Sequence, residues 1–280
     1  MSAPLVAAAG MTFSGSLEDY PDGIIIPVDK PWRWTSADVV RKVKFAAAKH
    51  FSYKKIKVGH AGTLDPLATG VLLVCIGKAT KLAEDLQKHE KEYVATVVFG
   101  ATTPSYDREK DPDRLFPVDG ITAASVEQAL EGLTGTYEQV APLFSAKSAD
   151  GVRAYEIARK LYKNGDGGLD ETALSLLTRN LVTVSEAELL EFDPLSALNV
   201  SKASGCESVA SSRINVADVS ALELPAAVIR IRCSKGTYIR AFARDLGEAL
   251  GSGAFLADLR RTASGTFSAP VPFPDVMSML

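Results

Sequence analysis

The stretch GHAGTLDPLATGVLLVCIG, Gly59 to Gly77, decides how the rest of the chain is read. Its first half sets Gly62, Pro66 and Gly70 around Asp65, turn formers that fix a backbone outside regular secondary structure. Its second half, GVLLVCIG, is an uninterrupted apolar run and predicts a buried strand. A carboxylate on a stiff loop that feeds a buried strand is well placed for chemistry, because such loops supply functional residues disproportionately. Asp before Pro also commonly closes an Asx turn or caps a helix, and on these residues alone both readings stand.

Working outward, GIIIPVDKP is a β-rich run stopped by Pro31. Thr35 with Asp38 three positions on forms a capping-box pattern. It opens an amphipathic helix to about His50, with Val39, Val40, Val43, Ala46 and Ala47 on one face. Residues 51–70 read as a loop. Downstream, ATKLAEDLQKH predicts a helix and EYVATVVFGATT a long strand with one solvated face. Residues 103–120 read as a polar loop, Ser125–Leu133 as a helix, the surroundings of Tyr137 as a strand and Arg153–Tyr162 as a helix. TRNLVTVSEAELLEF contains a strand, AAVIRIRCS is a strong strand, and TYIRAFARDLGEALG is a strong helix stopped by Gly251 and Gly253. AFLADLRRT reads as a short helix or turn. Strands and helices interleave without a regular βαβ period, which predicts an α+β fold with a mixed, largely antiparallel central sheet flanked by helices. The expected organisation is a flexible tail over 1–22, one domain over 23–266 with a loop insertion at 195–220, and a C-terminal tail over 267–280.

The chain has 280 residues, 46% of them apolar and 23% charged, enough to bury a core without staples. Cys75, Cys206 and Cys233 form no ligand-spaced pair, and His50, His60 and His89 have no second ligand nearby, so neither a disulfide framework nor a metal site is expected. No apolar run reaches transmembrane length and no signal peptide is evident, so the expectation is a cytoplasmic protein without membrane association. Gly77-Lys78 fails as a P-loop, since Leu72 stands at its first Gly and Ala79 at its hydroxyl position. Gly251-Ser-Gly253 fails as a dinucleotide fingerprint, with Leu256 at the third Gly. Ser36 and Ser145 lie in no nucleophile elbow. The net charge of −3 hides an uneven distribution. Lys30–Lys57 holds nine Lys or Arg against one acid, Val228–Thr262 seven against three, and Asp166–Pro225 three against ten. Two basic stretches suit phosphate binding, although a solvated face is an equally good account of charge alone.

The segment around Asp65 resembles the catalytic motif of the pseudouridine synthases of the TruB type, and the likeness continues in order along the chain. DKPWRWTS (Asp29–Ser36) resembles the family's KPxGxTS segment, and KEYVATVVFGATTPSYD (Lys91–Asp107) the strand and loop after the catalytic Asp. VAPLFSAKSADGVRAYEIAR (Val140–Arg159), RCSKGTYIRAFARDLGEALG (Arg232–Gly251) and LADLRRTASG (Leu256–Gly265) resemble the later segments. Together they cover most of residues 24–266.

The resemblance implies the pseudouridine synthase catalytic fold and isomerisation of uridine to pseudouridine at position 55 in the T-loop of tRNA, with no cofactor and no metal. It implies a base flipped out of its stack, since a stacked uridine is beyond reach of an active site. Asp65 would be the catalytic carboxylate and Arg240 the guanidinium paired with it, keeping it ionised. Tyr93 would join Asp65 and Arg240 as a catalytic residue and, with Tyr238, line the uridine pocket, Leu259 would be its apolar wall, and His60 would lie against the RNA. Lys30, Lys54, Lys57 and Arg260 are candidate RNA contacts, although Lys30 also suits a structural place near the active site. The partner would be the tRNA T-stem-loop and the protein a monomer. A tRNA-folding or RNA-binding module, or a synthase acting on another RNA, are the alternative readings. Three positions depart from the family pattern: Arg33 stands for a usual Gly, Ala141 for a Pro and Ser148 for a Lys. Roughly 14 residues follow the last motif, short of the ~50 that an appended RNA-binding domain of the PUA type would need.

Overall fold

The structure is a computed structural model and describes residues 3–142, 148–149, 152–153, 179–195, 214–219 and 221–280. The described residues fall into two compact units. The first holds 3–94, 214 and 258–280, and the second holds 95–195 and 215–257.

The first unit is organised around one strand. In chain order come β1 (Leu5–Val6), β2 (Ile24–Lys30), α1 (Ser36–His50), β3 (Val58–Ala61), β4 (Ala68–Ile76) and α2 (Ala83–Lys88). The apolar run of β4 is buried from Val71 to Ile76. Both its edges are paired. Antiparallel β2 runs along one, from Ile24↔Ile76 to Lys30↔Gly70. Along the other lies antiparallel β3, from Val58↔Ile76 to Ala61↔Leu73. Ile25, Ala61, Val71, Leu73, Cys75 and Leu86 make a core against which Phe267 packs. Helix α1 begins with the expected reciprocal cap between Thr35 and Asp38, and buries Val39, Val43 and Ala47.

Strand β5 (Lys91–Phe99) carries the chain into the second unit. There follow β6 (Ala101–Thr102), β7 (Arg114–Leu115), α3 (Ala123–Gly132), β8 (Gly135–Val140), β9 (Ser148–Ala149), β10 (Val152–Arg153), β11 (Arg179–Asp193), β12 (Ala226–Cys233) and α4 (Ile239–Ala249). Strand β11 is antiparallel to both β12 and β8, with two register shifts against β12. Strand β13 (Ala254–Ser264) returns the chain to the first unit, where β14 (Val271–Pro272) and α5 (Phe273–Met279) close it. Parallel pairs (β1 and β14 with β2, β13 with β4) and antiparallel ones coexist, flanked by helices, so the fold is α+β with a mixed sheet, as expected.

Several local expectations need correction. AFLADLRRT is a strand: Leu259, Arg260 and Arg261 pair in parallel with Ala68, Thr69 and Gly70. Its spacing suits either conformation, and the stretch of β4 edge at Ala68–Gly70 that β3 leaves unpaired selects the extended one. The loop expected at 51–70 contains β3 and the start of β4. The first residues are docked: β1 pairs with β2, Phe13 stacks edge-on against Tyr20, and Tyr20 against Phe51. The last residues are docked too, with Val276 and Met279 buried and Phe273 against Trp34. Within 195–220, the described part buries Ala217 and Val219 and so packs as core. The helix expected at Arg153–Tyr162 lies, apart from Arg153, outside the described residues.

Candidate active site

Asp65 sits in the turn between β3 and β4, and each flank of that turn is tied down within the first unit. Ahead of it, Leu64 is held twice by Ser36, the first residue of α1: the Leu64 amide donates to Ser36 Oγ at 2.9 Å, and Oγ donates to the Leu64 carbonyl at 3.1 Å. Behind it, the Pro66 carbonyl accepts from Lys30 Nζ at 3.1 Å. Arg261, fully buried, donates to the carbonyls of Val71 at 2.6 Å, Gly62 at 3.2 Å and Thr63 at 3.4 Å. Gly70 adopts φ +93°, and a Cβ there would lie 2.1 Å from the Arg261 carbonyl, so only glycine admits the approach of β13. The Gly70 amide donates to Asp29, whose carboxylate is gripped by both terminal nitrogens of Arg260 at 3.1 and 2.8 Å. A carboxylate on so many backbone anchors loses little freedom when it meets a reactant, and such pre-organisation lowers a barrier.

Lys30 corrects one sequence expectation. It is 1% exposed and gives its ammonium hydrogens to the carbonyls of Pro31, Trp34 and Pro66, at 2.9, 2.5 and 3.1 Å. It therefore reaches no RNA phosphate and ties the end of β2 to the loop of Asp65. Burial pushes its pKa down to about 7, with Asp65 pulling it back up and Arg261 pushing it further down. Arg260, another candidate RNA contact, has its guanidinium occupied by Asp29. Lys54 and Lys57 are exposed in the turn after α1. His60 lies on β3 opposite Val74, half-buried, with its Nδ1 without a hydrogen-bond partner. Burial and then the Arg261 charge hold it below its ordinary pKa, so it is neutral at pH 7. Leu259 is buried and pairs with Ala68, three residues after Asp65. Tyr93 is buried on β5.

Arg33, where the family pattern has Gly, keeps the backbone that pattern calls for. Its φ is +62°, and its guanidinium lies 5.6 Å from the centre of the Trp32 ring and donates to the Ile214 carbonyl at 2.7 Å.

In the second unit, Tyr238 caps the start of α4, with its amide and carbonyl bonded to the side-chain amide of Gln139. Arg240, 5% exposed, donates to the Ser105 carbonyl at 3.1 Å and lies 3.8 Å from the Asp107 carboxylate. Asp107 is itself held by the Ser105 hydroxyl at 2.6 Å and the Glu109 amide at 2.9 Å. The sequence assigned no role to Asp107, weighed Ser36 only as a nucleophile, and offered Arg261 beside Arg260 as a phosphate contact, which its burial against three carbonyls corrects. Asp107 closes the KEYVATVVFGATTPSYD segment, and a carboxylate ending such a segment was the available signal. Among the described residues no cluster of His, Cys, Asp or Glu could hold a metal ion, and no helix is long and apolar enough to cross a membrane.

In architecture the chain is similar to a solved RNA-protein assembly component. The crystal structure of a Cbf5–Nop10–Gar1 complex matches with a TM-score of 0.57 and 23% identity, over 92% of this chain and 54% of the other. At that identity the likeness speaks for the fold alone, and this chain spans about half the length of that one. Residues 49–207 match the model of the TruB family pseudouridylate synthase, N terminal domain. The tRNA pseudouridine synthase B of Phocaeicola vulgatus is 45% identical over 247 residues, covering 88% of each chain. The protein of that name from Bacteroides thetaiotaomicron is 46% identical over 249 residues, again 88% of each. The chain belongs to the TruB family of pseudouridylate synthases.

Proposed function

We propose that this chain isomerises uridine to pseudouridine in tRNA, at position 55 of the T-loop. The observation that carries the reading is the 45% identity to a tRNA pseudouridine synthase B across 88% of both chains. In the reaction the N1–C1′ bond breaks, the base turns, and C5 joins C1′; C5 loses a proton and N1 gains one, so nothing is consumed. The catalytic carboxylate in this proposal is Asp65, supported by its motif and by the anchors on Leu64, Pro66 and Gly70. Arg240 acts as its charge partner, Tyr93, Tyr238 and Leu259 line the uridine pocket, and His60 meets the RNA in its neutral form. Lys54 and Lys57 contact phosphate. Flipping the base out costs a few kcal/mol, and phosphate contacts offset it. The enzyme works as a cytoplasmic monomer.

The test is incubation of purified protein with unmodified tRNA transcript, in buffer without added metal or cofactor, and mapping of pseudouridine by chemical probing. One new pseudouridine in the T-loop is the expected result. Modification elsewhere would overturn the choice of site, and tight binding without any modification would favour an RNA-binding module. Asp65→Asn is expected to abolish turnover while tRNA binding survives; retained turnover would remove Asp65 from the catalytic role.

A further inference from the structure

Helix α1 presents an outer face that its own packing does not explain. The helix buries Val39, Val43 and Ala47. With 3.6 residues per turn, Arg41 and Phe45 lie farthest from that row, and Phe45 is 75% exposed. Arg41 lies one turn before it and Lys49 one turn after, with Lys42 and Lys44 on the two flanks, all exposed. Between Asp38 and Asp65 the chain has no acidic residue and seven Lys or Arg. The acids seen next to this helix are occupied. Asp38 takes Thr35 and Arg41. Asp19 takes the Ser14 hydroxyl, and the Ser14 carbonyl meets His50.

Two physical features separate this face from an ordinary solvated one. A solvated helix gains from interleaved opposite charges at i,i+4, whereas like charges along one face repel. Among the described residues the intrahelical ion pair is Arg41 with Asp38, the one acid of the helix; Lys42 shares that acid at four residues' spacing, and Lys44 and Lys49 have no carboxylate three or four positions away. Second, a large apolar ring stands at the crown, among cations, with nothing covering it in the described structure. Cations around one aromatic ring match a single-stranded or helical RNA, whose phosphates take the lysines and whose bases or riboses take the ring. A membrane would require a broad apolar face, and this one offers a single ring. The 15 residues of α1 span about 22 Å, more than one flipped nucleotide occupies.

We propose that the outer face of α1 is a second RNA-contact surface, which takes the phosphodiester backbone of the tRNA outside the T-arm, with Phe45 against a base or ribose. This rests on the reading of the chain as a tRNA-modifying enzyme, and it adds a surface that grips substrate without touching the reacting uridine.

The test uses the full chain, a full-length unmodified tRNA and an isolated T-arm stem-loop. Binding is measured by filter retention over a range of KCl for the parent, for the triple variant K42Q/K44Q/K49Q, for K42R/K44R/K49R and for Phe45→Ala. For the Gln triple, the slope of log affinity against log salt should flatten by about two to three, with about a tenfold loss of affinity for full-length tRNA. Its kcat/KM on the T-arm stem-loop should stay at the parent value, and the Arg triple should keep the parent's slope. Phe45→Ala should weaken full-length binding roughly fivefold with the slope unchanged. An unchanged slope and affinity in the Gln triple would overturn the proposal, as would an equal loss on both RNAs. Loss of binding to anionic vesicles with tRNA affinity intact would assign the face to a membrane and overturn it too. If the parent makes no pseudouridine at all, the enzymatic reading fails, while the salt slopes still decide whether this face holds RNA.

Discussion

Ser36 and Leu64 hold each other by a reciprocal pair of hydrogen bonds, 2.9 Å into the serine hydroxyl and 3.1 Å out of it, one residue before Asp65. Both residues are buried. One hydroxyl thus joins the first turn of α1 to the loop that presents the carboxylate, and it serves both backbone polar groups of one buried residue.

Replacing Ser36 by Ala strands the Leu64 amide and carbonyl. The expected cost is about 1–3 kcal/mol of stability. The greater effect is expected on chemistry, since Asp65 gains freedom: kcat on unmodified tRNA should fall about tenfold while tRNA affinity holds. Steady-state kinetics beside urea melts checks both. An unchanged kcat would show that Lys30 and Arg261 suffice to place the loop.

Lys30 predicts an unusual pH dependence of stability. In the unfolded chain its pKa is the ordinary 10.5, and in the fold burial lowers it to about 7. Between those values the unfolded state binds more protons, so this group's contribution to stability rises with pH. The penalty for burying the ammonium is fully present below about pH 7 and is relieved progressively toward pH 10.5. Lys30→Met removes both the titration and the bonds to three carbonyls, and should destabilise the protein by about 1–3 kcal/mol. Urea melts at several pH values should show the gap between parent and variant widening as pH rises from 7 to 10. A constant gap would mean that Lys30 stays charged throughout.

Arg33 sets strain against contact. A left-handed backbone costs a residue with a Cβ about 1–2 kcal/mol. The bond to the Ile214 carbonyl and the stacking on Trp32 return a similar amount. Arg33→Gly should therefore leave stability within about 1 kcal/mol of the parent, whereas Arg33→Val, which loses the contacts and keeps the strain, should cost about 2 kcal/mol or more. Equal denaturation midpoints for the two variants would contradict this account.

Asp107 and Arg240 are both almost fully enclosed, with side chains 7% and 5% exposed. Removing one charge of such a pair leaves the other buried with less compensation. Asp107→Ala should cost about 3–5 kcal/mol, and Asp107→Asn less, because an amide oxygen can still accept from Ser105 and Glu109. Thermal melts rank the two. If Arg240 serves the chemistry as proposed, Asp107→Asn should also lower turnover in protein that remains folded.

Much of this protein was legible in its residues. The cap of α1, the buried strand β4, strand β12 and helix α4 follow from patterns a dozen residues long, because capping, alternation and helical spacing act between near neighbours. The order of the motifs, Asp65 among them, was a property of the sequence alone and led to the right family. Tertiary structure decided the rest. Leu259–Arg261 is extended where it lies along Ala68–Gly70, the part of a β4 edge that β3 leaves free nearly two hundred residues earlier in the chain. Two-residue strands at Leu5 and Val271 exist only through parallel pairing with β2. Lys30 looks like a phosphate contact by residue type, yet burial assigns it to three carbonyls, and the fold gives the partly exposed Arg260 a partner in Asp29 that its residue type does not name. Side-chain identity states what a group can do; the company it keeps in the fold settles what it does, since desolvation and hydrogen bonding depend on neighbours that local sequence does not name.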